Sequence, residues 1–419
     1  MLASLVAPAN MASGESETQD VIIQIDGETS CIMSELNWLE SIMKGESENN
    51  WKRRQIFHKV PEIFRGLKSN KGCFDPLVVS IGPYHHGKPE LKLMEEQKFE
   101  MALQLYNGDV QSAKAKYNKL KPVSRDSRNC YAEDSTKEID EEEFNRMMFL
   151  DGSFVSPVHL LLENQLPYEV LKQLMSFHRK ITSRTCLKSF IQELPMGIVK
   201  SKSGNCQITK LEFEDRPAHL LAFFRSQHIG TYSIQKPSTN GGFLNRSATQ
   251  LKAAGIIFGP SRSSEYTNVN FKSGCLELPI LTIDDSTKSI LLNMIAYESF
   301  PDGPDDLFIT SYVCFMDSLI DDAEDVRLLR SWGIVPNFLG KDQQVADLFN
   351  QIATNTAPNP IVYAEITERV KGYYRKLLKV WMAQWLKNNF SFIAFFAGTS
   401  ALILSIIQTY FAAYSVVRQ

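Results

Sequence analysis

Two adjacent histidines, His85 and His86, stand in the run SIGPYHHGKPELKLMEEQK (Ser80 to Lys98) of a 419-residue chain with seven histidines in all. Paired imidazoles could bind a metal or move a proton if both rings aimed at one point. Neighbouring side chains diverge on a helix or a strand, so convergence needs an irregular loop, and a metal needs further ligands. No carboxylate or thiol lies within the five residues upstream. The residue types instead favour a shaped loop. Gly82-Pro83 makes a turn, Tyr84 and one histidine cover apolar surface, Gly87 resets the chain and Pro89 opens the helix that follows. The sequence therefore assigns no catalytic, cofactor-binding or metal-ligating residue, and His85 and His86 stand as the first candidates should the chain be an enzyme.

The remaining histidines, His58, His159, His178, His219 and His228, are isolated, with no H-x-H or H-x-x-x-H spacing. Walker A, G-x-G-x-x-G, G-x-S-x-G and H-E-x-x-H patterns are absent, so the common enzyme routes lack support. The seven cysteines (Cys31, Cys73, Cys130, Cys186, Cys206, Cys275 and Cys314) are scattered, without C-x-x-C spacing. That scatter fits buried thiols in a reducing compartment better than a disulfide framework or a zinc site. A Cys–His nucleophile pair would have to assemble across the fold without a local signature. The acidic run Asp134 to Glu143 lacks the spacing of a calcium loop and suits the start of a helix. No cofactor is expected.

Lys plus Arg number 45 against 48 Asp plus Glu, a formal charge of -3. The whole chain has no nucleic-acid footprint, and a charge-driven partner would need a local patch. The strongest physical signal is at the C-terminal end, where residues 390–417 carry no charge. About 20 apolar residues suffice to cross a hydrocarbon core of roughly 30 Å. Trp381 and Trp385 precede this segment, and Tyr410 and Tyr414 lie near its other end, as interfacial aromatics do. Lys371, Arg375, Lys376, Lys379 and Lys387 flank it upstream against Arg418 alone beyond it, which places the large N-terminal part in the cytosol. The sequons at Asn245 and Asn389 oppose that orientation only weakly. A tail-anchored, single-pass protein of the plasma membrane or the endoplasmic reticulum is expected. Its N-terminal apolar stretch, Leu2 to Ala9, lacks the basic residues of a signal peptide and reads as a tail.

The elements that would position any site are mostly helices. Ile32, Leu36, Leu39 and Met43 give a first amphipathic helix between Thr29 and Lys44, and Leu93, Phe99, Leu103 and Leu105 carry a second. Pro167 starts or kinks a helix within SPVHLLLENQLPYEVLKQLMSF, whose Leu160, Leu161 and Leu162 suit the core. Alternation at Val269, Phe271, Leu276 and Leu278 around Lys272-Ser273-Gly274 predicts a hairpin. Helices return in DDSTKSILLNMIAYESF, capped by Asp284 or Asp285, with Leu291, Met294 and Ile295 inward. YVCFMDSLIDDAEDVRLLRSWG reads as one helix ending at Gly333, and Asp342 caps the next. A long basic helix runs from Tyr363 towards the membrane. The fold class is mainly α: a large multi-helix domain over residues 29–385 with a small β-hairpin insertion, preceded by a tail at 1–28 and followed by a transmembrane helix at 388–417.

The blocks VPEIFRGLKSNKGCFDPLVVSIGPYHHGKPELKLMEEQK, MMFLDGSFV, LLLENQLPYEVL, SATQLKAAGIIF, VNFKSGCLELPILTIDDST, ITSYVCFMDSLIDDAEDVRLLRSWGI and DQQVADLFNQI, taken in order, resemble the plant family known as domain of unknown function 247. The resemblance runs from about Cys31 to the end. One departure stands out: between the LDGSF and LLLENQ blocks, Val155 reaches His159 almost at once where the family carries a longer stretch. This fits a shortened loop and helix or a lost exon. The resemblance implies a mostly helical, membrane-attached plant protein with no known catalytic residues, and some relatives are linked to pollen-side recognition in grass self-incompatibility.

Three functions follow as expectations. The first is a membrane-anchored interaction, recognition or signalling component without enzymatic activity, with the lipid bilayer and a protein as partners. The second is an enzyme with an unrecognised site that includes His85 and His86. The third is a degenerate relative that has lost its role.

Overall fold

The computed structural model describes residues 57–106, 108–154, 160–175, 217–229, 244–301 and 303–417. The sequence-predicted tail at 1–28, the helix between Thr29 and Lys44, and the shortened connection at 155–159 lie outside these residues.

The chain is mainly helical with one small sheet, as the hydrophobic periodicity predicts. In its first part, a short helix α1 (Glu62–Arg65) leads, past a 3-10 turn at Lys68–Asn70, into two further 3-10 turns, Pro83–His85 and Pro89–Leu91. The last turn continues directly into α2 (Lys92–Leu105). Helices α3 (Val110–Arg128), α4 (Glu133–Thr136), α5 (Glu141–Ser153) and α6 (Tyr168–Met175) follow. The core of this part forms where α3 meets α5 and α6 and where α2 lies on α5. The acidic run plays the expected part: Glu141, Glu142 and Glu143 fill the first turn of α5, and Asp140 caps it by accepting from Glu143 N–H at 2.7 Å.

Helix α2 exists where the periodicity places it, but it faces the other way. Leu93, Phe99 and Leu103 are 71%, 58% and 56% exposed, whereas Lys98 and Ala102 are buried. Buried acceptors around Lys98, described below, outweigh the apolar stripe. Helix α3 was not signalled by the sequence, because its lysine-rich face and internal Pro122 hide the buried positions Leu120, Ser124 and Ser127.

The second part holds α7 (Leu220–Ile229), α8 (Ala248–Ala253), the strands β1 (Ile257–Pro260), β2 (Asn270–Lys272) and β3 (Cys275–Leu278), and α9 (Thr287–Glu298). Next come α10 (Phe308–Asp317), α11 (Ala323–Ser331) and α12 (Asp342–Ala353). The predicted hairpin is present: β2 pairs antiparallel with β3 from Asn270↔Glu277 to Lys272↔Cys275. Its turn residues Ser273 and Gly274 both have positive φ, 51° and 82°, the backbone that a two-residue hairpin turn demands. A third strand, β1, adds in parallel to the other edge of β3. Its four residues are too short for a periodic signal.

The stretch read as one helix ending at Gly333 is two, α10 and α11. The chain breaks at Ser318–Asp322, where Asp322 caps α11 by accepting from Glu324 N–H and Asp325 N–H, and Asp325 returns to Asp322 N–H. This reciprocal box satisfies donors that a continuous helix would not leave free. Gly333, at φ 73°, ends α11 as expected. Asp284 accepts from Ser286 N–H and Thr287 N–H and so caps α9, with Leu291, Met294 and Ile295 buried.

Helix α13 (Ala364–Val417) is continuous for 54 residues. It is the one helix among the described residues that is long and apolar enough to cross a membrane, and its apolar window is not buried against the body. The sheet seats its base. Phe271 meets Tyr373 edge-on at 5.5 Å, Arg369 donates to Phe271 O, and a Cβ on Gly274 would meet the Tyr373 hydroxyl at 2.5 Å.

Candidate functional site

The loop that holds the histidine pair has no strand partner among the described residues, so side chains meet its buried backbone groups. Ile81 N–H donates to Asn164 Oδ1 at 2.6 Å, and Asn164 Nδ2 donates to Val79 O at 3.1 Å. Gly82 N–H donates to Asp151 Oδ2 at 2.8 Å, and Lys98 Nζ donates to Ser80 O at 2.6 Å. Lys98 also meets Asp151 Oδ1 at 2.5 Å and Glu95 Oε1 at 2.7 Å. Burial raises Asp151 to about 6 even though Lys98 and the Gly82 N–H pull it down. Gly82 sits at φ 74°, ψ −175°, a region essentially closed to other residues, and a Cβ there would meet Gln165 O at 2.7 Å.

This frame buries His85 to 2% exposure. Its Nε2 lies 3.5 Å from Glu163 Oε2, and neither ring nitrogen has a hydrogen-bond partner among the described residues. Glu163 is already engaged, accepting from Val60 N–H at 2.7 Å and from Arg65 Nη2 at 2.9 Å. Arg65 Nη1 reaches both oxygens of Asp75, at 3.1 and 3.0 Å. Burial, reinforced by Lys88, lowers the His85 imidazole to about 4, so the ring is neutral near pH 7. His86 turns elsewhere: its Nε2 is 3.7 Å from Glu143 Oε1, in the first turn of α5. The two rings therefore have different carboxylate neighbours on different elements.

Three consecutive polar residues, Glu163, Asn164 and Gln165, tie this region together. Glu163 holds the segment before α1, Asn164 holds the histidine loop, and Gln165 Oε1 accepts from Leu221 N–H at 3.3 Å at the start of α7. From the other side, Leu162 N–H donates to Asn293 Oδ1 at 2.7 Å, and Asn293 Nδ2 donates to Cys73 O at 3.0 Å. Hydrophobicity alone reads LLLENQLP as part of a dense apolar stretch, and three polar residues in a row inside that run are the local signal of its tying role. Of its leucines, Leu160 and Leu162 are buried and Leu161 is half-buried.

A second buried charge cluster was also missed. Arg225 donates to Glu298 at 2.7 Å and pairs with Asp306, while Glu298 accepts from Ile309 N–H, Thr310 N–H and the Thr310 hydroxyl at 3.0, 2.9 and 2.7 Å. The carboxylate thus satisfies the open N–H groups of the first turn of α10.

The other described histidines pack on aromatics. His219 lies 5.1 Å from Phe57 and 4.9 Å from Tyr297, and its Nδ1 accepts from Ala222 N–H at 3.1 Å. Burial lowers it to about 3. His228 Nδ1 lies 2.9 Å from Phe224 O, and His58 stacks on Phe300 at 4.4 Å. Burial pushes the thiols of Cys73, Cys130 and Cys314 up, which disfavours the nucleophilic thiolate. Among the described residues, no three or more His, Cys, Asp or Glu side chains are grouped to hold a metal ion. His159, His178, Cys31, Cys186 and Cys206 lie outside the described residues.

Comparison with known proteins places this arrangement in a family. Over 86% of its length, the chain is 25% identical to the UPF0481 protein At3g47200 of Arabidopsis thaliana, in an alignment of 425 residues covering 87% of that protein. A second UPF0481 protein of Arabidopsis thaliana, At3g02645, is 29% identical over 199 residues, 46% of this chain and 37% of that protein. No solved structure matches. The family model for DUF247, plant protein of unknown function, matches residues 57–158 and 159–407, so its two segments meet where the connection between LDGSF and LLLENQ is short. The buried Glu163, the loop from Ser80 to Lys98 and the long C-terminal helix are thus features of a chain that belongs to the plant family of unknown function DUF247.

Proposed function

We propose that this chain is a membrane-tethered interaction protein, in which α13 anchors the helical body and displays it in the cytosol to a protein partner. The observation that carries this reading is the uncovered apolar length of α13: Phe390, Phe395, Leu402 and Ile406 all face outward, and nothing among the described residues of the body covers them. Side chains of this kind belong in lipid. The basic residues on the body side of the segment support the cytosolic placement. The exposed Phe99 and Leu103, one turn apart on α2, support a protein partner, since adjoining exposed apolar side chains mark interaction surfaces. The buried polar groups around His85 support a non-enzymatic role, because each carboxylate there is engaged in holding backbone or a cation.

Proximity labelling in plant cells from the intact chain tests the reading. A recurring partner that disappears with Phe99→Asp and Leu103→Asp, while membrane residence persists, is expected. Labelling of random membrane neighbours alone overturns it. One observation favours the enzymatic alternative, the pair of unbonded nitrogens on buried His85 beside Glu163. A substrate screen in which His85→Gln abolishes turnover without altering thermal stability would replace the first reading with that one.

A further inference from the structure

Between the base of α13 and the segment that leads into α8 lies a cleft of about 220 Å³. Its volume is below the roughly 300–1,000 Å³ usual for drug-sized ligands, so its ligand is a small group. Lys371, Tyr374, Arg375 and Leu378 fall three and four residues apart and therefore share one face of α13. Arg246 closes the opposite wall, its guanidinium 4.4 Å above the Tyr374 ring. Among the described residues, no acidic side chain lines the cleft. Lys371 reaches one carboxylate, Glu368, at 4.0 Å, and among the described residues neither Arg246 nor Arg375 has an ion-pair partner. Leu251 and Leu378 complete the lining with apolar surface.

We infer that this cleft is a binding site for a phosphate monoester, held between Arg246, Lys371 and Arg375, with apolar surface beside it for the body of the ligand. Two guanidinium groups without carboxylates are free to donate to phosphate oxygens in the paired geometry that arginine favours, and Tyr374 holds one of them in place. Position identifies the source. Arg375 is six residues from Trp381, about 9 Å along the helix, and Trp381 and Trp385 are aromatic side chains of the kind that settle at headgroup depth. The cleft therefore opens at the level of phosphorylated lipid headgroups, a placement that rests on the anchor proposed above.

The test uses the full chain in neutral detergent and a fluorescent short-chain phosphatidylinositol 4-phosphate, read by anisotropy. Saturable binding is expected. Arg246→Gln combined with Arg375→Gln should weaken it at least tenfold, while Lys387→Gln, outside the cleft, leaves it unchanged. Both arginines are exposed, so the double variant should keep its thermal unfolding temperature, which is measured alongside. Displacement by inositol 1,4-bisphosphate but not by inorganic phosphate identifies a lipid headgroup, and equal displacement by inorganic phosphate identifies a free phosphate ligand for the same site. Absent binding, or equal binding by the double variant, overturns the proposal. Carbonate extraction of the same chain from membranes reads the anchor separately: release into the supernatant refutes the anchor whatever the detergent assay shows.

Discussion

Lys98 Nζ lies 2.5 Å from Asp151 Oδ1, and both side chains are buried. The pair holds the loop, since the ammonium also binds Ser80 O and the carboxylate also binds Gly82 N–H. Its removal is asymmetric. Lys98→Met leaves a buried carboxylate uncompensated and should destabilise the chain by about 3–5 kcal/mol. Lys98→Met with Asp151→Leu removes both charges and should recover part of that loss. Thermal and urea unfolding of the full chain in detergent measures both, and a double variant no more stable than Lys98→Met alone contradicts the assignment.

Glycines at two ends of one turn should differ. Gly82→Ala forces a side chain into a backbone region costing about 1–3 kcal/mol and onto Gln165 O, whereas Gly87→Ala, at φ 77° with open space around it, meets only the backbone cost of about 1–2 kcal/mol. Unfolding midpoints should therefore fall further for Gly82→Ala. Equal losses would mean that the contact with Gln165 is not tight.

Acid should weaken the fold through its histidines. Burial lowers His85 to about 4 and His219 to about 3, below the unfolded value of about 6.5. As pH falls below 6.5 the unfolded chain gains these protons and the folded chain does not, so stability is full above 6.5 and declines towards 4 for His85 and 3 for His219. His85 alone accounts for a loss on the order of 3 kcal/mol at the bottom of its window. Asp151, raised to about 6, works in the opposite sense between about pH 6 and 4, because the folded chain takes up its proton first. The histidine contribution is therefore read as a difference: across pH 7 to 4, His85→Gln should lower the proton dependence of unfolding by about one proton. A slope untouched by the substitution argues that the ring is hydrated.

A charge at the centre of the apolar segment should disturb insertion. Leu402→Arg, on an outward-facing position of α13, carries a penalty of about 3 kcal/mol at mid-bilayer on insertion scales. The fraction of chain resistant to carbonate extraction should fall, and an unchanged fraction would mean that residue 402 is not within the bilayer.

The sequence showed most clearly those elements whose signal is local. Turn residues at Ser273-Gly274 announced the hairpin, and the uncharged residues 390–417 announced the long apolar helix. What it hid depends on partners far along the chain. The inverted face of α2 follows from Lys98 finding Asp151, 53 residues away, and the role of Glu163 follows from Val60 N–H, 103 residues away. Periodicity ranks residues by hydrophobicity, so it places a buried lysine outside and an exposed phenylalanine inside. The divergence of His85 and His86 was legible as a tendency of adjacent side chains, but their separate carboxylates were not.

The unbroken run of α13 has a mechanical consequence. With 54 residues at a 1.5 Å rise it is a rod of about 80 Å, and it contains no proline to bend it. Because the sheet grips one end through Tyr373 and Arg369, a turn of the apolar end about its own axis must turn the sheet with it. One residue inserted between Leu378 and Trp381 would swing the body by about 100° relative to the aromatic belt, presenting a different side to the lipid. Under the proposed anchoring, α13 sets the heading of the protein as well as its address.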